Sequence, residues 1–349
     1  MKLTFLGTGT SQGVPVIGCK CEVCRSSDRR DRRLRTSAMI ETEGKRFIID
    51  AGPDFRYQML REGVAHIDAI LLTHMHKDHT AGIDDVRAFN FVDYPTIHST
   101  HIYGNEATIN RVKMEYDYAF AENKYRGVPV IELHTIATNA PFVVEGVEIA
   151  PIVGHHSDRF RSVGYRFGDV AYITDFSHIE PAEEEKLEGV KVLVINALRW
   201  EPHDSHFSVS EALEVIKRVK PERAYLTHMS HNIGLYDEAQ AKLPEGVKFA
   251  YDGLAVELGE LVEVELVDVE AREERVAHLD VVASGQLTPC SHRLDVNHVD
   301  WCTQLQAAPH FRARVRGERR KVQRNNADGL EQVVHDGGEL ALSLGGFSS

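Results

Sequence analysis

Thr73-His74-Met75-His76-Lys77-Asp78-His79 places three histidines and an aspartate within six residues. The run before it, Ile67-Asp68-Ala69-Ile70-Leu71-Leu72, is short and aliphatic, which predicts a buried strand ending in a polar loop. Imidazole suits zinc and other late transition metals, and a carboxylate widens the choice to manganese or iron. On a loop leaving a strand end, His74 and His76 can face one position while Asp78 and His79 reach a second. A ligand set of this kind tends to hold two metal ions roughly 3.5–4 Å apart. A polar loop that merely carries histidines is the bland alternative, and the density of donors argues against it. The stretch predicts a metal site.

The chain has 349 residues, enough for one large domain or two around a sizeable core. Its formal charge of −13 disfavours sequence-independent binding to nucleic acid, which cationic side chains drive by releasing counterions. Residues 1–6 show no signal pattern, and no apolar run approaches the length of a bilayer span. Neither a membrane anchor nor a nucleic-acid partner is expected, and a homodimer stays open. Five cysteines is an odd count with three clustered, which suits a reduced, cytoplasmic setting.

An opening strand over residues 2–6 delivers Gly7-Thr8-Gly9-Thr10-Ser11-Gln12-Gly13-Val14-Pro15, whose glycines permit tight turns beside a ligand. A plain turn is the alternative there. Cys19-Lys20-Cys21-Glu22-Val23-Cys24 has metal-ligand spacing but needs a fourth donor for tetrahedral zinc. A disulfide suits an odd trio poorly, so structural zinc is the reading. Residues 26–35, dense in arginine and aspartate, read as a solvated surface loop. Strands follow over 37–41 and 46–50. Asp50 closes the second, either to accept a ring N–H from a ligating histidine or to cap a helix beginning near Asp54.

Helices are expected over 82–92 and 106–120, with strands over 97–103, 147–153, 163–167, 171–175 and 190–196. The strand ending at 153 leads into Gly154-His155-His156-Ser157, and the one ending at 175 finishes on a carboxylate, Asp175. Ser208 is placed to cap an amphipathic helix over 209–219, and His206 just ahead of it is placed to help bind an anion such as phosphate. Leu226-Thr227-His228-Met229 repeats Leu72-Thr73-His74-Met75 at a second strand end, through an internal repeat or by chance. Residues 1–258 read as one domain. Residues 259–349 read as an extension of unknown function, partly disordered by composition. Its basic run (Arg312, Arg314, Arg316, Arg319, Arg320, Lys321, Arg324) and its Cys290, His292, His298 and Cys302 match no trusted pattern.

The His-x-His-x-Asp-His spacing of residues 74–79 resembles the signature of the metallo-β-lactamase superfamily. That resemblance implies an α/β fold, a four-layer αββα sandwich with both metals held between the sheets at the strand ends. It also implies a mid-chain histidine ligand, a bridging aspartate after one strand and a late histidine after another. Residues 1 to about 258 look more specifically like the phosphoribosyl 1,2-cyclic phosphate phosphodiesterase family. The carriers are the Gly7–Pro15 start, the cysteine trio and the late Leu226-Thr227-His228-Met229-Ser230-His231 element.

By this resemblance one divalent catalytic ion, zinc or manganese, is held by His74, His76 and His156. The other is held by Asp78, His79 and His228, and Asp175 bridges them. His155 is the alternative to His156. The trio Cys19, Cys21 and Cys24 gains His231 as its fourth ligand, a closed set for one structural zinc. His206 matches a histidine that assists at the phosphate, which makes Asp78 and His206 the expected catalytic residues. The implied activity is hydrolysis of a small phosphodiester by hydroxide formed between two ions. The alternatives are a ribonuclease Z-like tRNA 3′-processing endonuclease, a thioester or lactone hydrolase on the same fold, and a non-catalytic metal-binding protein.

Overall fold

Six strands, β1 (Lys2–Gly7), β2 (Ser37–Thr42), β3 (Lys45–Ile49), β4 (Ala69–Leu71), β5 (Thr100–Gly104) and β6 (Ile131–Thr135), lie side by side in that order as one sheet. The computed structural model describes residues 1–157 and 160–258, and beyond them seven short strands between Glu263 and Ser343. Eight further strands form a second sheet: β7 (Phe142–Val144), β8 (Val147–His155), β9 (Arg161–Phe167), β10 (Val170–Ile173), β11 (His178–Ile179), β12 (Val192–Asn196), β13 (Arg223–Thr227) and β14 (Val247–Phe249). Their order is β11-β8-β9-β10-β12-β13-β14, with β7 paired to β8 alone. β15 (Ala255–Glu257) returns to the first sheet and pairs with β1.

Both faces of these strands are covered, so their sequences read as apolar runs rather than as a clean alternation. In β1, Leu3 and Phe5 face the space between the sheets, while Leu6 faces outward. In β3 the inward residues are Phe47 and Ile49, and Ile48 faces outward. In β12, Val192 and Val194 face inward, and Leu193 and Ile195 outward. Helices Phe55–Arg61 and Glu106–Glu115 cover the outside of the first sheet through Phe55 and Val112. Helix Val209–Val219 covers the second through Ala212, Val215 and Ile216. The result is a four-layer αββα sandwich. Among the described residues, no helix is long and apolar enough to cross a membrane.

The two sheets share one strand plan. The first runs antiparallel through β15, β1, β2 and β3, then parallel through β4, β5 and β6. The second runs antiparallel through β11, β8, β9 and β10, then parallel through β12, β13 and β14. The repeat suggested by the matching tetrapeptides therefore exists, but it does not explain them. Leu72-Thr73-His74-Met75 follows β4, whose counterpart is β12, whereas the second copy follows β13. What the repeat does align is a pair of carboxylates. Asp50 follows β3 and Asp175 follows its counterpart β10, both in the left-handed region at φ 64° and 60°.

Helix Val209–Val219 starts where its sequence places it. Glu211 N donates to Ser208 Oγ at 3.3 Å and Ser208 N to the Glu211 carboxylate at 2.8 Å, a reciprocal cap. The helix expected over 82–92 instead breaks into the short turns Ile83–Val86 and Arg87–Asn90. Asn90 ends it, because its buried amide donates to His98 O and Val130 O and accepts from Val130 N. The expected solvated loop over 26–35 is also corrected. Asp31 and Arg33 are each only 2% exposed; Asp31 accepts from Tyr236 N, Arg33 donates to Ser230 O, and the two pair at 3.8 Å.

The chain divides into two compact units, Met1–Leu258 and Gly259–Ser349. In the second, strand Glu263–Val267 pairs with Arg312–Arg314 and His278–Leu279, and Glu331–Val334 pairs with Leu340–Ser343. The expected partial disorder there falls mostly outside the described residues, as do Cys290, His292, His298, Cys302 and the basic side chains. In the first unit, β15 seals the free edge of β1, and the Met1 amino group donates to Leu258 O at 2.8 Å. A chain ending at Glu260 is therefore expected to unfold cooperatively, with a melting temperature close to that of the full chain. Calorimetry of the two proteins checks this, and an insoluble short form would refute it.

Candidate metal centre

Strand ends from both sheets bring seven ionisable side chains into one buried cluster: His74, His76, Asp78, His79, His156, Asp175 and His228. β4 supplies the first four through the loop and short helix that follow it. β8, β10 and β13 supply the others from just past their last residues. His74 Nε2 lies 3.0 Å from His76 Nδ1, and His156 Nε2 lies 3.1 Å from the same atom. On the other side, His79 Nε2 sits 3.2 Å from Asp78 Oδ2 and 3.3 Å from Asp175 Oδ2. His228 Nε2 sits 3.1 Å from Asp175 Oδ1 and 3.7 Å from Asp78 Oδ2. Asp175 Oδ1 also comes within 4.0 Å of His156 Nε2, so this carboxylate stands between the two groups. His155 turns instead to Glu180, at 3.0 Å, and lies outside the cluster.

Two of the rings, His79 and His156, are aimed from behind. Asp50 Oδ2 accepts the His79 Nδ1 proton at 2.6 Å, and its two oxygens also take Thr73 N at 2.8 Å and the Thr73 hydroxyl at 2.9 Å. The helix-capping role considered for Asp50 does not occur, because the position before helix Phe55–Arg61 belongs to Asp54. His156 Nδ1 donates to Ser205 O at 2.9 Å. The segment behind Asp50 touches the metal loop backbone to backbone. A Cβ on Gly52 would lie 2.0 Å from Asp78 O, and one on Gly82 would lie 2.1 Å from Gly52 O. Only glycine permits this approach.

The cluster has the electrostatics of a cation site. Burial alone would raise the Asp175 carboxyl, but the charges of His228 and His79 outweigh it and hold Asp175 well below the usual range. Burial likewise opposes charge on His79, yet Asp175, Asp78 and Asp50 pull its pKa well above normal. Burial, with His79 nearby, drives His74 well below normal. His79 Nε2, both ring nitrogens of His228 and His206 Nδ1 are buried with no hydrogen-bond partner among the described residues. Ring nitrogens facing one another at 3.0–3.1 Å, beside orphaned nitrogens and carboxylates, fit divalent cations as their common partner.

His206 stands over this cluster. Its ring centroid is 4.8 Å from that of His228 and 4.9 Å from that of His156, with Nδ1 3.6 Å from Asp175 Oδ1. Burial pushes its pKa down to about 3, so it is neutral at physiological pH.

A second donor set sits at the end of the same late loop. Cys19, Cys21 and Cys24 place their sulfurs 3.4, 3.2 and 3.5 Å from His231 Nδ1, and all three are free thiols. Hydrogen bonding to Cys21 lowers the Cys19 thiol, while burial pushes the Cys24 thiol up to about 11. Three sulfurs and one imidazole converging on a point fit tetrahedral zinc.

Two supporting residues escaped the sequence reading. Ser205 acts through its carbonyl, which no residue type announces. Asn196, the polar end of the apolar strand β12, clamps Phe176 through N at 2.9 Å and O at 3.0 Å, fixing the turn after Asp175. A polar residue closing an apolar run was the available signal. Because Asp50 orients His79, Asp50→Asn is expected to weaken metal binding about 10–100-fold with little change in secondary structure. Metal titration followed by circular dichroism checks this.

The fold has known counterparts. Residues 45–229 match the Beta-lactamase superfamily domain. An octanoyltransferase of Porphyromonas gingivalis is 38% identical over 256 residues, which is 73% of this chain and 51% of that protein. The chain thus spans about half of that relative, whose whole-protein activity does not transfer with the match. The crystal structure of a diphosphatase from the PhnP family is 40% identical at a TM-score of 0.68, covering 74% of this chain and 98% of the other. Zinc-bound PqqB from Methylobacterium extorquens shares the fold at 20% identity and a TM-score of 0.60, covering 74% and 100%. The chain belongs to the beta-lactamase superfamily and has the metallo-β-lactamase fold.

Proposed function

We propose that the chain is a binuclear metal-dependent phosphodiesterase acting on a small phosphodiester, cyclic ribose phosphates included. The observation that carries this reading is Asp175, seated between a group of three histidines and a group of two histidines with a carboxylate. His74, His76 and His156 would hold one ion and Asp78, His79 and His228 the other, with Asp175 standing between the two donor sets. Zinc or manganese ions there bring the pKa of water towards neutrality and take up charge on phosphoryl oxygens. Asp50 and the Ser205 carbonyl keep the rings in place while charge develops. His206, neutral and packed against His228 and His156, is placed to donate a hydrogen bond to the phosphate or to the leaving oxygen. Cys19, Cys21, Cys24 and His231 hold a structural zinc.

One observation favours a second substrate class. The PhnP-family relative, 40% identical across nearly its whole length, is a diphosphatase. A diphosphate linkage resembles a phosphodiester at the attacked phosphorus, which carries two bridging oxygens in each. A panel of a cyclic ribose phosphodiester, a dinucleoside diphosphate, a thioester and a tRNA precursor separates the readings. Metal-dependent turnover of the first two is expected; turnover of the thioester or the tRNA alone would overturn the proposal. The charge of −13 already weighs against the tRNA.

His76→Ala and Asp78→Ala each remove a donor without opening the apolar layers, so both are expected to lower kcat at least ~100-fold while remaining folded. Steady-state kinetics beside melting curves test this, and wild-type rates in either variant would refute the binuclear site. Metal counting is expected to give about three ions per wild-type chain and about two for Cys21→Ser. That variant should also melt earlier and turn over more slowly, since His231 and His228 share one loop.

A further inference from the structure

A separate group of imidazoles lies on the last two strands of the first sheet. Residues two apart on a strand share a face, so β5 presents His101 with Tyr103, and β6 presents Glu132 with His134. The parallel register sets His101 opposite Glu132 and Tyr103 opposite His134. His101 Nδ1 lies 3.0 Å from His134 Nε2 and 3.6 Å from Glu132 Oε2. The Tyr103 ring stacks on His134 at 4.4 Å and 14°, which fixes the plane of that imidazole. The side chains of His101 and Glu132 are 34% and 52% exposed, so the group is open to solvent.

A single N–H···N bond between two neutral rings accounts for the 3.0 Å contact. The Glu132 carboxylate, which also hydrogen-bonds to Ser99, adds an oxygen donor facing the same His101 nitrogen. Two imidazole nitrogens and one carboxylate oxygen within 4.8 Å of each other match a three-ligand zinc site that leaves its remaining position to water. Two imidazoles among three donors select zinc and its neighbours over magnesium or calcium. We propose that His101, Glu132 and His134 form an additional, solvent-facing site for a zinc-class divalent cation. No catalytic ligand belongs to it. Among the described strands β6 is the outermost of its sheet, so an ion held here ties an edge strand to its only partner. Binding confined to the folded state also stabilises that state.

The test uses the full chain with its tightly held metals in place, dialysed free of loose metal and titrated with Zn²⁺ alone. Wild type is compared with His101→Gln, His134→Gln and Glu132→Gln. The expected result is one further zinc on wild type that both histidine variants lack, with binding at least tenfold weaker in Glu132→Gln. Added zinc should raise the melting temperature of wild type and not of the histidine variants. Melting without added zinc reports whether each variant is folded, and Glu132→Gln, altered at an exposed position, keeps the test decisive if a histidine variant is not. Equal zinc uptake and equal zinc-dependent melting shifts in wild type and the folded variants would overturn the proposal.

Discussion

A hydrogen bond of 2.6 Å from His79 Nδ1 to Asp50 Oδ2, between two wholly buried side chains, is the contact on which the candidate metal centre depends. A buried carboxylate is costly unless its oxygens are satisfied, and Asp50 is satisfied by the Thr73 backbone and hydroxyl together with His79. To reach all three, Asp50 adopts φ 64°, and the donors Asp175 and His228 likewise sit at 60° and 58°. Each left-handed non-glycine residue costs on the order of 1–3 kcal/mol, and it persists only where its surroundings leave it no choice. Apolar layers on both faces of each sheet impose that condition. Packing stability is thus converted into the aim of a few side chains.

This division of labour decides what the sequence could disclose. Strands buried on both faces are continuous apolar runs, so β4, β10, β12 and β13 stand out, and so do the ionisable residues that end them. Helix Val209–Val219 carries its own start signal in Ser208 and Glu211. Segment 26–35 was opaque because Asp31 and Arg33 bond to Tyr236 and Ser230, about two hundred residues away along the chain. The helix over 82–92 failed for the same reason. Its apolar spacing is local, while the bonds that end it at Asn90 run to Val130. Among the cluster's donors, the choice between His155 and His156 was open in the sequence, since adjacent residues on an extended chain face opposite ways.

The matching Leu-Thr-His-Met segments show how similar chemistry can imitate descent. They leave strands that are not counterparts in the repeated plan, and their threonines act differently. Thr73 gives its N–H and its hydroxyl to Asp50. Thr227 instead accepts Ala197 N on its carbonyl, and its hydroxyl oxygen has no hydrogen-bond partner among the described residues. The histidines answer to a shared demand, a donor projecting from a strand end into a gap between sheets. The shared strand plan aligns Asp50 with Asp175, and there the jobs differ: one orients a ring from behind, the other stands among the donors.

The late loop joins the two donor sets more tightly than their three-residue spacing suggests. His228 begins it in a left-handed conformation, and His231 closes it among three thiols. Between them, Met229 N donates to Thr8 O, and Thr10 N donates to Met229 O. The Ser230 hydroxyl and N–H both go to Leu198 O, and buried Arg33 donates to Ser230 O. Such a loop has few ways to move as a unit, so displacement at His231 is passed to His228 rather than absorbed. Under the proposed assignment, a zinc held by Cys19, Cys21, Cys24 and His231 therefore does more than stabilise the glycine-rich start of the chain. By holding the far end of the loop it removes the freedom that would let His228 relax out of its strained backbone, and the catalytic donor stays aimed at Asp175.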